Sequence, residues 1–185
     1  MRVFLTDALP NQINIMLDLE TWGTTPGSAI RSVGACTFDP FSSEIGEKFY
    51  STVDDGSCFE AGLTVDAGTK AWWAKQKKEV QDALLIDQKP LAAVVRAFND
   101  WFRKERGVFV WSQGANFDQP VFEAAARAVG QECPWKFWDS RCTRTAYDVC
   151  KFNPFAMKRQ GSHHNALDDA IHQARCVQAA YARLR

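Results

Sequence analysis

The sequence carries no surplus of charge, because 22 lysines and arginines are matched by 22 aspartates and glutamates. A globally basic nucleic-acid binder is thereby excluded, although a local basic face is not. There is no apolar run of the ~18 residues that a membrane helix needs. Near the N-terminus, Asp7 and Pro10 fall too early for a signal-peptide core, which points to a cytoplasmic protein. None of the six cysteines forms a Cys-x-x-Cys pair or stands at zinc-finger spacing from a histidine. The expectation is reduced, buried thiols in a cytosolic protein and no disulfide framework. No internal repeat and no low-complexity linker occurs.

What remains is the composition of an ordinary soluble globular protein, with 185 residues, 46% hydrophobic and 24% charged. A chain of this size buries about 70% of its surface, enough for a core without staples. Disordered, collagen-like and coiled-coil classes are excluded, and one domain over residues 1–185 is expected.

Strand formers concentrate at Ile13–Leu19, Ile30–Phe38 and Lys48–Val53, with a turn at Gly23–Gly27 between the first two. The pattern then changes. Thr69–Lys77, Glu79–Leu85 and Leu91–Glu105 read as helices, with Pro90 as a start signal. Val108–Trp111 reads as a short buried strand, and Gln119–Val129 as a helix closed by Gly130. A last strand is expected near Trp135–Trp138, a helix over Arg141–Cys150 and a long terminal helix over Asn165–Leu184. Strands first, then helices alternating with strands, predict an α/β protein with a mixed sheet flanked by helices.

Asp18 and Glu20 sit two apart on the first strand, so both side chains project from one face, about 6.5–7 Å apart along the chain. Two neighbouring acids repel unless something positive compensates them, and hard cations such as Mg²⁺ or Mn²⁺ suit carboxylate oxygens. A frayed polar strand end is the bland alternative. Asp118 follows the strand ending near Ser112, at the place where an N-cap stands and also where ligand sites form in open sheets. On the terminal helix, a wheel of about 100° per residue puts Asp169 at the edge of the stripe Ala166, Leu167, Ala170, Ala174, Val177, Tyr181 and Leu184. Asp168 faces solvent on the same wheel, where it caps or solvates the helix start. His164 precedes the helix in a loop that can swing over a site, while His163 and His172 read as solvated.

Taken in order, Leu17-Asp18-Leu19-Glu20-Thr21, Gly114-Ala115-Asn116-Phe117-Asp118 and His164-Asn165-Ala166-Leu167-Asp168-Asp169-Ala170 resemble the three motifs of the DEDDh 3′→5′ exonucleases. That family has the ribonuclease H-like fold, with a central mixed sheet of five to six strands flanked by α-helices. Gly23–Ile30, the pair Trp72-Trp73 and Pro134–Trp138 are similar to one branch, the short phage and bacterial nucleases and the mycobacterial-type exoribonucleases. The likeness runs from about Asn14 to Ala180. The final motif places a histidine five positions before an aspartate, which fits His164 with Asp169. His163 with Asp168 satisfies the same spacing.

The resemblance implies a metal-dependent 3′→5′ exonuclease domain that releases nucleoside 5′-monophosphates from a free 3′ end, with RNA preferred to DNA. Asp18, Glu20, Asp118 and Asp169 would hold two Mg²⁺ or Mn²⁺ ions, and His164 would act as general base. Thr21, Trp22, Asn116, Phe117, Arg141 and Arg144 are the expected substrate contacts. Trp22 departs from the aliphatic residue usual in the family and would stack on the terminal base, or else pack at the rim. Trp72 and Trp73 read as core or interface packing. Between 133 and 163, six lysines and arginines stand against two aspartates, a local basic surface suited to a phosphate backbone. Expected partners are nucleic acid and a second copy of the chain, with no membrane. The alternative is a catalytically idle domain of the same fold that binds nucleic-acid ends or serves as a structural accessory.

Overall fold

A computed structural model of the chain describes residues 13–184; the N-terminal residues that argued against a signal peptide lie outside the described residues. The strands are β1 (Ile13–Thr21), β2 (Ile30–Phe38), β3 (Ile45–Thr52), β4 (Gly107–Ser112) and β5 (Ser140–Cys142). They form one sheet in the order β3-β2-β1-β4-β5. The β1–β2 and β2–β3 pairs are antiparallel, whereas β1–β4 and β4–β5 are parallel. The parallel half follows from the helices inserted between its strands, because a parallel connection must cross the sheet.

Period-two alternation on β1 sorts its side chains. Ile15, Leu17 and Leu19 enter a core with Val33, Ala35 and Val110. That face is covered by α4 (Leu91–Lys104) and α5 (Asp118–Ala128), through Val94, Val95, Phe98, Phe102, Val121 and Phe122. Each fully buried side chain of this size contributes about 1.5–3 kcal/mol. Met16 points the other way, into a second core with Cys36, Phe38 and Trp111. There α6 (Thr143–Val149) and α7 (Ala166–Ala182) close over the sheet through Ala146, Tyr147, Ala170, Ala174 and Val177. Asp18 and Glu20 continue the face of Met16 and therefore point toward α7.

Several expectations change. The last strand lies at Ser140–Cys142 rather than Trp135–Trp138. Trp135 is a core residue of the α4–α5 face, and Phe137–Asp139 forms a 3₁₀ turn that delivers the chain to the sheet edge. The helix expected from Arg141 accordingly begins at Thr143. β3 starts at Ile45, three residues early. Three short helices, α1 (Asp55–Glu60), α2 (Ala67–Trp73) and α3 (Lys78–Ala83), fill the long connection from β3 to α4. The first was not expected; Asp54 caps it by accepting from the Ser57 amide. No helix among the described residues is long and apolar enough to cross a membrane. All six cysteines are free thiols.

Candidate active site

Parallel pairing aligns the carboxyl ends of β1 and β4, and three chain segments meet there. β1 supplies Asp18 and Glu20, and the first turn of α7 supplies Asp169. One oxygen from each lies within 4.8 Å of the others. Two devices bring α7 so close. Its N-cap is Asn165, whose side chain accepts from the Leu167 and Asp168 amides at 3.1 Å each. Beneath it lies Gly34 of β2, paired with Asp18. A Cβ on Gly34 would stand 2.1 Å from the Ala166 carbonyl carbon and 2.2 Å from the Leu167 nitrogen. Only a glycine lets the helix backbone rest on the strand opposite Asp18.

Asp118 opens α5 but does not cap it. Its carboxylate reaches back and accepts the Leu19 amide of β1 at 3.1 Å, and it is only 2% exposed. The next residue, Gln119, fixes this turn by donating to Val110 O, Ser112 Oγ and Arg141 O at 3.0–3.2 Å. Asp118 lies outside the 4.8 Å group but acts on it through charge.

Burial and mutual repulsion dominate the electrostatics. Asp18 is held well above the usual carboxylate range by burial, then by Asp118 and Glu20. Burial, reinforced by Asp118, pushes Glu20 up to about 8. Asp118 rises to about 7 through burial, against the opposing Leu19 amide and the Arg144 charge. Such a group of acids stays fully ionised only with a cation among them. The donor set is all oxygen, the preference of hard divalent ions. Gln173, one helical turn beyond Asp169, donates to Asp18 Oδ1 at 2.6 Å, while its own Oε1 is buried without a partner. An unpartnered oxygen beside three carboxylates fits an ion or its bound water. Among the described residues, the direct cationic contact is Arg159, which pairs with Asp169 Oδ1.

His164 immediately precedes the N-cap in a left-handed conformation, φ +62°. Its ring stands edge-on to Trp72 at 4.9 Å and to Trp73 at 6.0 Å. Trp73 is itself anchored, donating from Nε1 to Thr21 O at 2.8 Å. Burial, then the His163 and Arg159 charges, holds the His164 pKa below its ordinary 6.5. His163 is exposed. Of the two registers, the fold gathers Asp169 with Asp18 and Glu20, while Asp168 is turned away and accepts the Ser162 amide at 2.8 Å. Asp168 thus tethers the preceding loop, and the capping expected of it falls to Asn165.

The expected substrate residues divide. Asn116 is exposed beside the site, and Phe117 is partly buried against the α4–α5 core. Arg144 is exposed and stands over Gly114, close enough to act on Asp118. Arg141 is elsewhere: its guanidinium stacks on Phe109 at 3.9 Å, and it lines a cleft with Trp111 and Tyr181. Strand alternation on β5 turns it to that side. Thr21 is buried, its hydroxyl donating to Gly23 O at 2.6 Å. Trp22 donates to Asp55 at 2.7 Å, and the Arg31 guanidinium covers one face of its ring at 4.0 Å. Trp73 is core, whereas Trp72 is 43% exposed. Sequence reasoning missed Gln173, Arg31 and Gly34, and counted Arg159 only as one charge of the basic stretch 133–163. Only Gln173 left a signal, four positions after Asp169 and therefore on the same helix face.

Solved structures similar in fold include exonucleases, one of them described as a DEDDh family member. The nuclease domain of 3′hExo bound to rAMP superposes with a TM-score of 0.64 at 13% identity, over 94% of each chain. Exonuclease I gives 0.66 at 12% identity, over 94% of this chain but 42% of that one, and the zinc-bound E. coli ExoI–ssDNA complex gives 0.61 at 14%, over 94% and 40%. At these identities the likeness establishes the ribonuclease H-like fold. No curated protein sequence gives a significant match. Residues 13–181 match the Rv2179c-like 3′-5′ exoribonuclease domain, and the chain belongs to that family of 3′-5′ exonucleases.

Proposed function

We propose that this exonuclease shortens RNA from its 3′ end by divalent-metal chemistry, releasing nucleoside 5′-monophosphates. The observation that carries the reading is the convergence of Asp18, Glu20 and Asp169 within 4.8 Å. Asp18, Glu20 and Asp169, with Asp118 directly or through water, would hold two Mg²⁺ or Mn²⁺ ions. Bound there, the ions would acidify a water and offset charge on the scissile phosphate and the leaving oxygen.

The remaining work falls to the chain. His164 takes the proton of the attacking water. Its pKa, below 6.5, leaves the imidazole neutral and able to accept at physiological pH. Trp72 and Trp73 hold its ring. Gln173 fixes the orientation of Asp18. Thr21, Trp22, Asn116 and Phe117 border the terminal nucleotide, and a base stacked on Trp22 would be worth about 1–3 kcal/mol. Arg144 and the exposed Lys158 supply positive charge for the phosphate backbone, whereas Lys136, before the amino end of β5, and Lys151, whose carbonyl accepts from Arg183 at the far end of α7, lie away from the site. Arg141, turned toward Phe109, joins that track only at its edge. RNA as substrate is supported by the exoribonuclease family, and a cytoplasmic setting by six free thiols.

The test is a time course on 5′-labelled single- and double-stranded RNA and DNA with Mg²⁺, Mn²⁺ or EDTA. A ladder shortening from the 3′ end of RNA, abolished by EDTA and by Asp18→Asn, is expected. A single internal cut, or cleavage persisting in EDTA, would overturn the reading.

A further inference from the structure

Three arginines face the carboxylates from three parts of the chain. Arg31 of β2 acts on Glu20, Arg144 of α6 on Asp118, and Arg159 of the α6–α7 connection on Asp169. They are held differently. Arg31 has a buried unpartnered nitrogen, Nη1, but it is 5% exposed, sits on a strand and stacks on aromatic rings, 4.0 Å from Trp22 and 4.4 Å from Trp73, so it is not free to turn. Arg144 is exposed. Arg159 alone makes a direct ion pair within the group, from Nη2 to Asp169 Oδ1.

The rest of the Arg159 guanidinium is poorly used. The same Nη2 has one other acceptor, the Ser162 carbonyl at 3.5 Å, and Nε is buried with no partner. A lasting structural pair at such a site normally satisfies its remaining donors, because an unmet buried donor is costly. Arg159 also sits in residues 157–165, which contain neither helix nor strand, so repositioning its side chain breaks no ladder. Asp169 Oδ1 cannot serve a guanidinium and a divalent ion together without placing like charges in contact. A guanidinium fork matches the oxygens of a phosphate.

We propose that Arg159 is a transferable counter-cation, neutralising Asp169 while no ion is bound and turning its fork onto the phosphate of the terminal nucleotide when a divalent ion takes Asp169. The phosphate half rests on the exonuclease reading; the half at Asp169 needs only the carboxylates. Arg159 thereby keeps the ion-free site from accumulating uncompensated charge and lowers ion affinity until substrate offers it another anion.

Calorimetric titration of Mn²⁺ without nucleotide, and of adenosine 5′-monophosphate with Mn²⁺ present, reads both halves. Arg159→Gln removes the competing charge, so Mn²⁺ binds several-fold more tightly. The same variant binds the monophosphate about tenfold more weakly, the scale of one charge-assisted phosphate contact. Adenosine, which lacks the phosphate, shows no such loss. Arg159→Lys keeps the charge and loses the fork, so it retains wild-type Mn²⁺ affinity and still loses monophosphate affinity. This variant carries the test if Arg159→Gln is unstable in EDTA. Unchanged Mn²⁺ affinity in Arg159→Gln, or unchanged monophosphate affinity in either variant, overturns the proposal. Failure of the exonuclease reading shows separately, as wild-type protein that releases no nucleotide from any 3′ end.

Discussion

Gly34→Ala tests how tightly helix position governs the carboxylate site. The added Cβ would lie 2.1 Å from the Ala166 carbonyl carbon, 2.2 Å from the Leu167 nitrogen and 2.4 Å from the Ala166 oxygen. All three are backbone atoms of the first turn of α7, so no side chain can rotate aside. Ordinary contact begins near 3.4 Å, so the turn must retreat by about 1 Å. Overpacking of this kind costs about 1–3 kcal/mol. The larger consequence is chemical, because the same turn carries Asp169, and a displacement of 1 Å costs on the order of a hundredfold in rate. Gly46→Ala is the matched control. Its Cβ meets Thr37 Oγ1 at 2.3 Å, the end of a side chain that can turn away, far from the site in the sheet. The assay is kcat from release of labelled nucleotide, with the Mn²⁺ dissociation constant and Tm measured on the same samples. Gly34→Ala should lose about two orders of magnitude in kcat and bind Mn²⁺ more weakly, while Gly46→Ala keeps both. Wild-type kcat and ion affinity in Gly34→Ala would refute the reasoning.

Further outcomes follow from the site. Burial raises Glu20 to about 8 and Asp118 to about 7; in EDTA the folded protein therefore holds protons that the unfolded chain has lost, and Tm should fall from pH 7 to pH 8. Mn²⁺ should remove that fall by replacing the protons, and a flat or rising Tm in EDTA would contradict the assignment. His164→Ala should lower kcat by about 10²–10⁴-fold while keeping the Mn²⁺-induced rise in Tm; loss of that rise would make His164 part of the ion site instead. Trp73→Ala should cost about 3–5 kcal/mol in denaturant unfolding. Trp72→Ala, at a 43% exposed position, should cost under about 1 kcal/mol and act mainly on kcat through the His164 ring; equal stability losses would show that the two tryptophans share one role.

Much of the site was legible because it depends on local periodicity. Alternation on β1 puts Asp18 and Glu20 on one face, and the helical wheel by itself separates Asp169 from Asp168. The same reasoning failed where side chains answer to distant backbone. Asp118 stood where an N-cap stands, yet its carboxylate serves the Leu19 amide 99 residues away. Trp135–Trp138 had the composition of a strand, but Trp135 was needed in the core beside Phe98 and Phe122. Arg141 lay within a basic stretch, and strand alternation turned it onto Phe109.

The balanced charge belongs to the sequence, as do the order of the three motifs and the faces on which their acids project. Each follows from composition or from a fixed rotation per residue. The tertiary structure decided which of those acids meet. Long-range contact set the approach of α7 to Gly34 and the grip of Gln173 on Asp18. Such contacts arise only when the chain returns on itself, and no periodicity within a segment encodes the separation between two of them.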